Sequence, residues 1–429
     1  MNFREVFTPT DQPTVTYVKR NSKKLEQNLR DYLETPNAVV SISGPSKTGK
    51  TVLLRRVVDP DLLIPLTGAA IRSIDDFWRG ILAWMEAPES RTIGTSSATS
   101  VGGAVSGGGE VGLPLVAKGS VEGSATASTS ASENAEGNVP VDPFAQVVKD
   151  IGKSEFIVFV DDFHYIPKAA QVEIARAIKA LAESGVRICT ASVPHRNEDV
   201  VRANSELRGR LAAIDIPDWD EAELSVIAQK GFDELNADFS PSVFRRLAGE
   251  AYGSPQLMQA LCMNLCRVAN LREAMPKKER LEVDETSITE TLKDASDFAN
   301  FAKLVQLLHS GPKVHGTERK QFSLTDGTEG DVYRAILLAI ASDPPARSFT
   351  YDDVLGRVKA VCSATAPVGS SVSGSLGHMA AIAAEHYPDG PVLEWDEDVL
   401  TIIDPYFAFY LRASTKLEAL GASTRDTTA

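Results

Sequence analysis

The sequence predicts an α/β protein: a three-layer parallel sheet with helices on both faces, then a helical lid, then a small helix-and-wing unit. Three observations carry this. An apolar, β-branched run, Val39–Ile42, leads straight into a glycine-rich turn and a helix. A second apolar run, Phe156–Val160, ends in two aspartates. Near the C-terminus, three segments of helical period precede two short strand-like runs. A strand that is apolar along its whole length is buried on both faces, as a parallel sheet between helical layers requires.

At roughly 150 residues per domain, 429 residues suit two or three domains. Hydrophobic residues at 43% are enough for a real core. There is no apolar run of about 18 residues, so no stable membrane span is expected. The first residues, MNFREVFTPTDQPTV, lack a basic stretch followed by an apolar one, and a cytoplasmic protein is expected. Cys189, Cys262, Cys266 and Cys362 form no CxxC pair and read as reduced thiols rather than zinc ligands or disulfides. A net charge of −14 disfavours strong non-specific binding to nucleic acid or anionic membranes.

The strand Val39–Ile42 opens onto Gly44, Pro45, Ser46, Lys47, Thr48, Gly49, Lys50 and Thr51, a full GxxxxGK[ST] match. Gly44 and Gly49 permit the tight turn that aims backbone N–H groups at phosphate oxygens. A helix starting at about Lys50, followed by Val52, turns its positive dipole end to the same anions. Lys50 can reach the β- and γ-phosphates, and the Thr51 hydroxyl is placed to ligate Mg2+. The motif resembles the phosphate loop of P-loop NTPases, and a sheet of that kind is expected. Asp61–Leu66 reads as the next strand and Ile71–Met85 as a helix with Ile74, Phe77, Trp78, Ile81 and Leu82 on one face.

Phe156–Val160 then delivers Asp161 and Asp162 to the carboxyl edge of the sheet, where the phosphate loop also lies. The two motifs are expected on adjacent strands. Asp161 would hold Mg2+, mostly through water, and Asp162 would polarise the attacking water. Lys168–Glu183 reads as an amphipathic helix and Val186–Ser192 as a strand.

With both motifs placed, the chain resembles the AAA+/STAND branch of P-loop ATPases, with origin-initiator-like and NACHT-like members, from about Thr16 to Arg412 apart from one insert. The resemblance implies ATP and Mg2+ as ligands. It implies that Tyr17 and Arg20, ahead of a helix marked by Leu25, Leu29 and Leu33, lie beside the adenine. It implies that Ser192 or Thr190 at a strand end senses the γ-phosphate, although Asn is common there. Arg208 or Arg210, just before the short strand Ala213–Ile216, would reach into a neighbouring subunit's nucleotide. Glu221–Leu235 and Pro241–Cys266 resemble lid helices. The turn Gly253-Ser-Pro255 resembles the STAND Gly-x-Pro, with no sensor arginine near Gln256, and Pro255 would start a helix at the nucleotide.

Between Ser90 and Pro140, Gly, Ala, Ser and Thr supply 32 of 51 residues, a composition unable to form its own core. It reads as a flexible loop. The alternation of apolar and polar residues over Val111–Ala127 also allows a hairpin arm used in oligomerisation.

Leu281–Leu308 reads as helical and Ser310–Gly330 as a connector. Asp331–Ser342, Tyr351–Cys362 and Ser371–Glu385 are expected helices, and Val392–Trp395 with Val399–Ile403 two strands of a wing. The segment resembles the winged-helix domain that follows many AAA+ and STAND lids. From Asp331 to Arg412 there are 5 basic and 11 acidic residues, a balance of −6, so DNA is possible but disfavoured. STAND winged helices can offer a His to bound ADP, and His378 stands in the third helix.

The expected division is 1–37 as an N-terminal segment, 38–218 as the ATPase core with insert 90–140, 219–308 as lid, 309–330 as connector, 331–415 as winged helix and 416–429 as a flexible tail. The expected function is an ATP-binding, ATP-hydrolysing switch whose nucleotide state controls self-assembly or engagement of a partner, such as a separate effector or sensor, with a homo-oligomer in the ATP state. The alternatives are a DNA-binding initiator or regulator using the winged helix, and a non-hydrolysing scaffold stabilised by nucleotide.

Overall fold

The computed structural model describes residues 1–20, 23–87, 90–94, 136–193, 207, 209–313, 319–388, 390 and 392–425. The chain forms β1 (Val39–Ser43), β2 (Leu63–Thr67), a hairpin of β3 (Ser90–Gly94) and β4 (Glu136–Pro140), then β5 (Ile157–Asp161), β6 (Arg187–Ser192) and β7 (Leu211–Asp215). Apart from the hairpin these strands make one parallel sheet, ordered β2-β5-β6-β1-β7. All five residues of β1 are buried, because β6 and β7 flank it and helices cover both faces.

One face carries the helices Leu25–Glu34 and Lys50–Val57, which bury Leu29, Leu33, Leu53 and Leu54. The other carries Ile74–Trp84, Pro143–Ile151 and Lys168–Glu183, with Phe77, Ile81, Val147, Ile174 and Ile178 inside. Ser73 and Asp76 close a reciprocal capping box at the first of these, which starts the helix at Ile74 rather than at Ile71. This is the three-layer α/β fold of a P-loop NTPase.

β1 and β5, expected side by side, are separated by β6. Strands lie about 4.8 Å apart, so the two motif-bearing tips are roughly 10 Å from each other. The helix after β1 bridges that gap. β2 also begins later than Asp61, because Pro60–Leu62 forms a 3-10 turn capped by Asp59.

The helices Glu221–Glu234, Pro241–Glu250, Pro255–Val268, Glu285–Asp297 and Ala302–Ser310 follow the sheet. Then come Val332–Ala341, Tyr351–Val361 and Gly369–His386, with a three-stranded sheet in which Ser348–Thr350 pairs with Val399–Ile402, and that strand with Leu393–Asp396. The three-residue strand is too short to register as a period. One apolar core runs through all these helices and takes in Phe3, Val6 and Phe7. The first residues are therefore part of the lid: Asn2 caps a short helix, and Phe7 packs on Phe232 with ring centroids 5.0 Å apart. The expected flexible tail is also different. Lys416–Arg425 is helical, Leu417 is buried, and its carbonyl accepts a 2.9 Å hydrogen bond from the fully buried Arg334.

The alternating stretch Val111–Ala127 lies outside the described residues. Among the described residues, no helix is long and apolar enough to cross a membrane.

Candidate functional site

β1 delivers the phosphate loop to the carboxyl edge of the sheet. Lys47 (φ 63°) and Gly49 (φ 97°) have left-handed backbone, which turns the chain into the helix at Lys50. Gly44 is required by packing as well: a Cβ there would stand 2.7 Å from the Ile216 carbonyl oxygen. Neighbouring strands pin the loop's base, the Gly44 N–H donating to the Ser192 carbonyl and the Ile216 N–H to that of Ser43. Its tip is held from the lid side. The indole of Trp219 donates to the Thr48 carbonyl at 3.0 Å, and the Ser254 hydroxyl to the Lys47 carbonyl at 3.2 Å.

The Thr51 hydroxyl donates to Asp161 Oδ2 at 2.7 Å. The two motifs therefore meet across β6. Asp161 Oδ1 accepts the Asp162 N–H, which leaves both Asp161 oxygens oriented by this chain. Asp162 follows with left-handed backbone (φ 54°), which Asp tolerates better than most residues. Burial and the neighbouring Asp161 push its carboxyl up to about 6, against the pull of Lys50. Lys50 is buried, and its ammonium donates to the carbonyls of Gly44 (2.8 Å) and Pro45 (3.0 Å). Desolvation lowers its pKa, Asp162 and Asp161 oppose that, and Arg347 adds to it.

A cleft of about 920 Å3 opens over this edge. Ser46, Lys47, Thr48, Gly49, Lys50, Thr51, Val52, Asp161, Asp162, Tyr17, Arg20 and Pro255 all line it. Pro255 is the first residue of its helix, and Ser254 caps it. The Tyr17 hydroxyl donates to Glu26 at 2.7 Å, and Arg56 stacks over its ring. The Arg20 guanidinium is committed to protein: it pairs with Glu223, donates to the Pro217 and Asp218 carbonyls and lies over Trp219. Its visible role is to fasten the N-terminal segment across the cleft to the lid.

Ser192 sits at the end of β6, paired with Ser43; its buried hydroxyl has no hydrogen-bond partner among the described residues, and like Gly44 and Pro45 it is not among the cleft-lining residues. Thr190 is spent inside the sheet on the Val40 carbonyl. Arg208 lies outside the described residues. Arg210 precedes β7, level with Val39, at the amino edge of the sheet and away from the phosphate loop. It forms a half-exposed ion pair with Glu183. This chain's own cleft thus receives nothing from Arg210. His378 bonds to the Tyr333 hydroxyl at 2.9 Å and is not among the cleft-lining residues.

The C-terminal unit reaches the phosphate loop by other residues. Lys47 Nζ donates to both Asp404 oxygens (2.8 and 2.7 Å) and lies over the Tyr406 ring at 4.4 Å. Arg347 joins the Ile402 and Ile403 carbonyls to Asp218 and the Tyr252 carbonyl. No local pattern announces the Lys47–Asp404 pair, whose members are 357 positions apart. A lysine at the third of the four unspecified positions of the phosphate motif is the only hint.

Among the described residues, no group of three or more His, Cys, Asp or Glu is placed to hold a metal by itself. Mg2+ keeps several waters and takes one or two protein oxygens plus phosphate. The convergent Thr51 hydroxyl and Asp161 carboxylate fit it.

No protein-family model matches the chain, and no curated protein does. Among solved structures it is similar to a Walker-type ATPase of Pyrococcus abyssi, at 13% identity over 93% of this chain and 99% of that one, with a TM-score of 0.48. It is also similar to the ORC2 protein of Aeropyrum pernix in its ADP form, at 13% identity over 98% of each chain and a TM-score of 0.46. The Thermotoga maritima RuvB Holliday junction branch migration motor aligns at 12% identity over 71% of this chain and 82% of that one, with a TM-score of 0.39.

Proposed function

We propose that the chain is an AAA+/STAND-type switch that binds ATP with Mg2+ in this cleft and hydrolyses it, and whose nucleotide state controls self-assembly or engagement of a partner. The observation that carries the reading is the 2.7 Å contact of Thr51 with Asp161 beside the buried Lys50, at the edge where the phosphate loop meets a helix start. Few ligands other than a polyphosphate with a divalent ion match a loop of N–H groups, one ammonium and one hydroxyl–carboxylate pair.

The residues divide the work as follows. Lys50 leaves the Gly44 and Pro45 carbonyls for the phosphates. Thr51 and Asp161 would hold Mg2+, which when bound would supply positive charge against the phosphate oxygens. Asp162 accepts a proton from the attacking water at its carboxylate. Burial raises its pKa and so makes it a better base than a solvated carboxylate while leaving it ionised at neutral pH. The Ser192 hydroxyl donates to the terminal phosphate, and Tyr17 and Arg20 hold the N-terminal segment against the base. Arg208 or Arg210 serves a neighbouring copy.

The Lys47–Asp404 pair supports the switch. A triphosphate arriving at the loop competes with the Asp404 carboxylate for the same cation, so occupancy and the seat of the C-terminal unit are linked. DNA binding gains no such support. Of the five cations between Asp331 and Arg412, Arg334, Arg347, Arg357 and Arg412 are engaged inside the molecule, and Lys359 is left exposed.

Calorimetric titration with Mg·ATP tests the reading. Lys50→Ala is expected to weaken binding at least about tenfold. Asp162→Asn is expected to bind and not turn over. Wild-type affinity in Lys50→Ala would remove the phosphate-loop assignment.

A further inference from the structure

Among the residues lining the cleft, the Gln259 side chain is matched on one side only. It stands on the second turn of the helix Pro255–Val268, lines the cleft and is 5% exposed. Its Oε1 accepts two hydrogen bonds, from the Thr8 N–H at 2.8 Å and the Thr16 hydroxyl at 3.1 Å. A backbone N–H can only donate, so the atom facing Thr8 must be the oxygen, and the amide cannot be flipped. Nε2 is thereby turned away from that segment; among the described residues the Gln259 side chain makes only those two hydrogen bonds, both at Oε1.

Position says what it faces. Pro255, four residues earlier, lies beside the phosphate loop, and four residues of helix rise about 6 Å. Gln259 is thus one turn farther from the phosphates. The same cleft is also lined by Tyr17, Trp219 and Ile227. A flat heterocycle suits a cleft that holds such side chains, and an amide donor open to the cleft is available to an acceptor on a ligand.

We propose that Gln259 is the base-reading group of the cleft, its Nε2 donating to an unprotonated ring nitrogen of adenine while its oxygen fastens Thr8 and Thr16 to the lid. The proposal rests on the nucleotide reading and adds to it the residue that recognises the base. It also makes base occupancy felt by the N-terminal segment, since one amide holds both.

The test uses the full chain, with Gln259→Glu as the variant. The carboxylate keeps an acceptor for Thr8 and Thr16, so the fastening survives, but it replaces the donor with an acceptor. Calorimetric titrations with Mg·ATP and with its 1-deaza, 3-deaza and 7-deaza analogues, which share the triphosphate, compare the two proteins. Wild type is expected to bind one of the three analogues about tenfold more weakly than ATP. Gln259→Glu should bind ATP more weakly and no longer discriminate against that analogue. Discrimination that persists unchanged in the variant, or is absent from wild type, overturns the assignment. If wild type binds neither ATP nor any analogue, the nucleotide reading itself fails, and this assignment falls with it.

Discussion

Asp162 shows how burial sets chemistry at a single residue. Its carboxyl titrates near 6 in the folded protein and near 4 when solvated, so between those values the folded state holds a proton that the unfolded chain has lost. Stability from this group therefore falls as pH rises from about 4 to about 6 and stays lower above that. Asp162→Asn removes the penalty. It is expected to be about 1–3 kcal/mol more stable than wild type at pH 7, with the gain vanishing below pH 4, as urea melts at both pH values would show. Residues of this kind were legible where the motif is contiguous. Lys50 and Thr51 stand in one loop, and Asp161 ends a run apolar enough to be buried. Gln259 and Asp404 were not, because their roles depend on partners 251 and 357 positions away.

At the scale of elements, two 3-10 turns pack edge to edge below the cleft: Gly68–Ala70 after β2 and Phe163–Tyr165 after Asp162. A Cβ on Gly68 would lie 2.2 Å from the Asp162 carbonyl oxygen and 3.1 Å from that of Asp161. Gly68→Ala must push the acidic turn away. It is expected to cost about 1–3 kcal/mol and to lower turnover several-fold with ATP affinity nearly kept, since the phosphate loop is on another strand. Thermal melts and steady-state phosphate release would check this. Long helices and buried strands could be read from period and apolarity, and most observed ends fall within about three residues of expectation. Short elements could not. Ser348–Thr350 has three residues, and its strand character comes from pairing with Val399–Ile402. Ser90–Gly94 and Glu136–Pro140 lack an apolar pattern and pair across an insert. Lys416–Arg425 is polar in sequence and gains its place by docking Leu417.

Across the whole molecule, the continuous core from Phe3 through the lid to Leu417 makes the lid and C-terminal unit one body seated on the sheet. That body grips the phosphate loop through Asp404, Trp219 and Ser254. Asp404→Ala removes a carboxylate from beside the phosphates and frees Lys47. It is expected to tighten Mg·ATP binding by roughly threefold to tenfold, less at high salt, because a partly exposed ion pair contributes about 1 kcal/mol. Titrations at two ionic strengths would measure this, and unchanged affinity would show that nucleotide and Asp404 do not compete. This union was not legible in the sequence, because contacts between distant helices leave no trace in local composition. The place of Arg210, at the strand starts while the phosphate loop crowns the strand ends, has its own geometric consequence. For that arginine to serve a second copy, unlike surfaces must meet, one molecule's underside against another's crown. A two-fold axis matches only like with like, so any such assembly closes as a ring or grows as a filament and never stops at a symmetric pair.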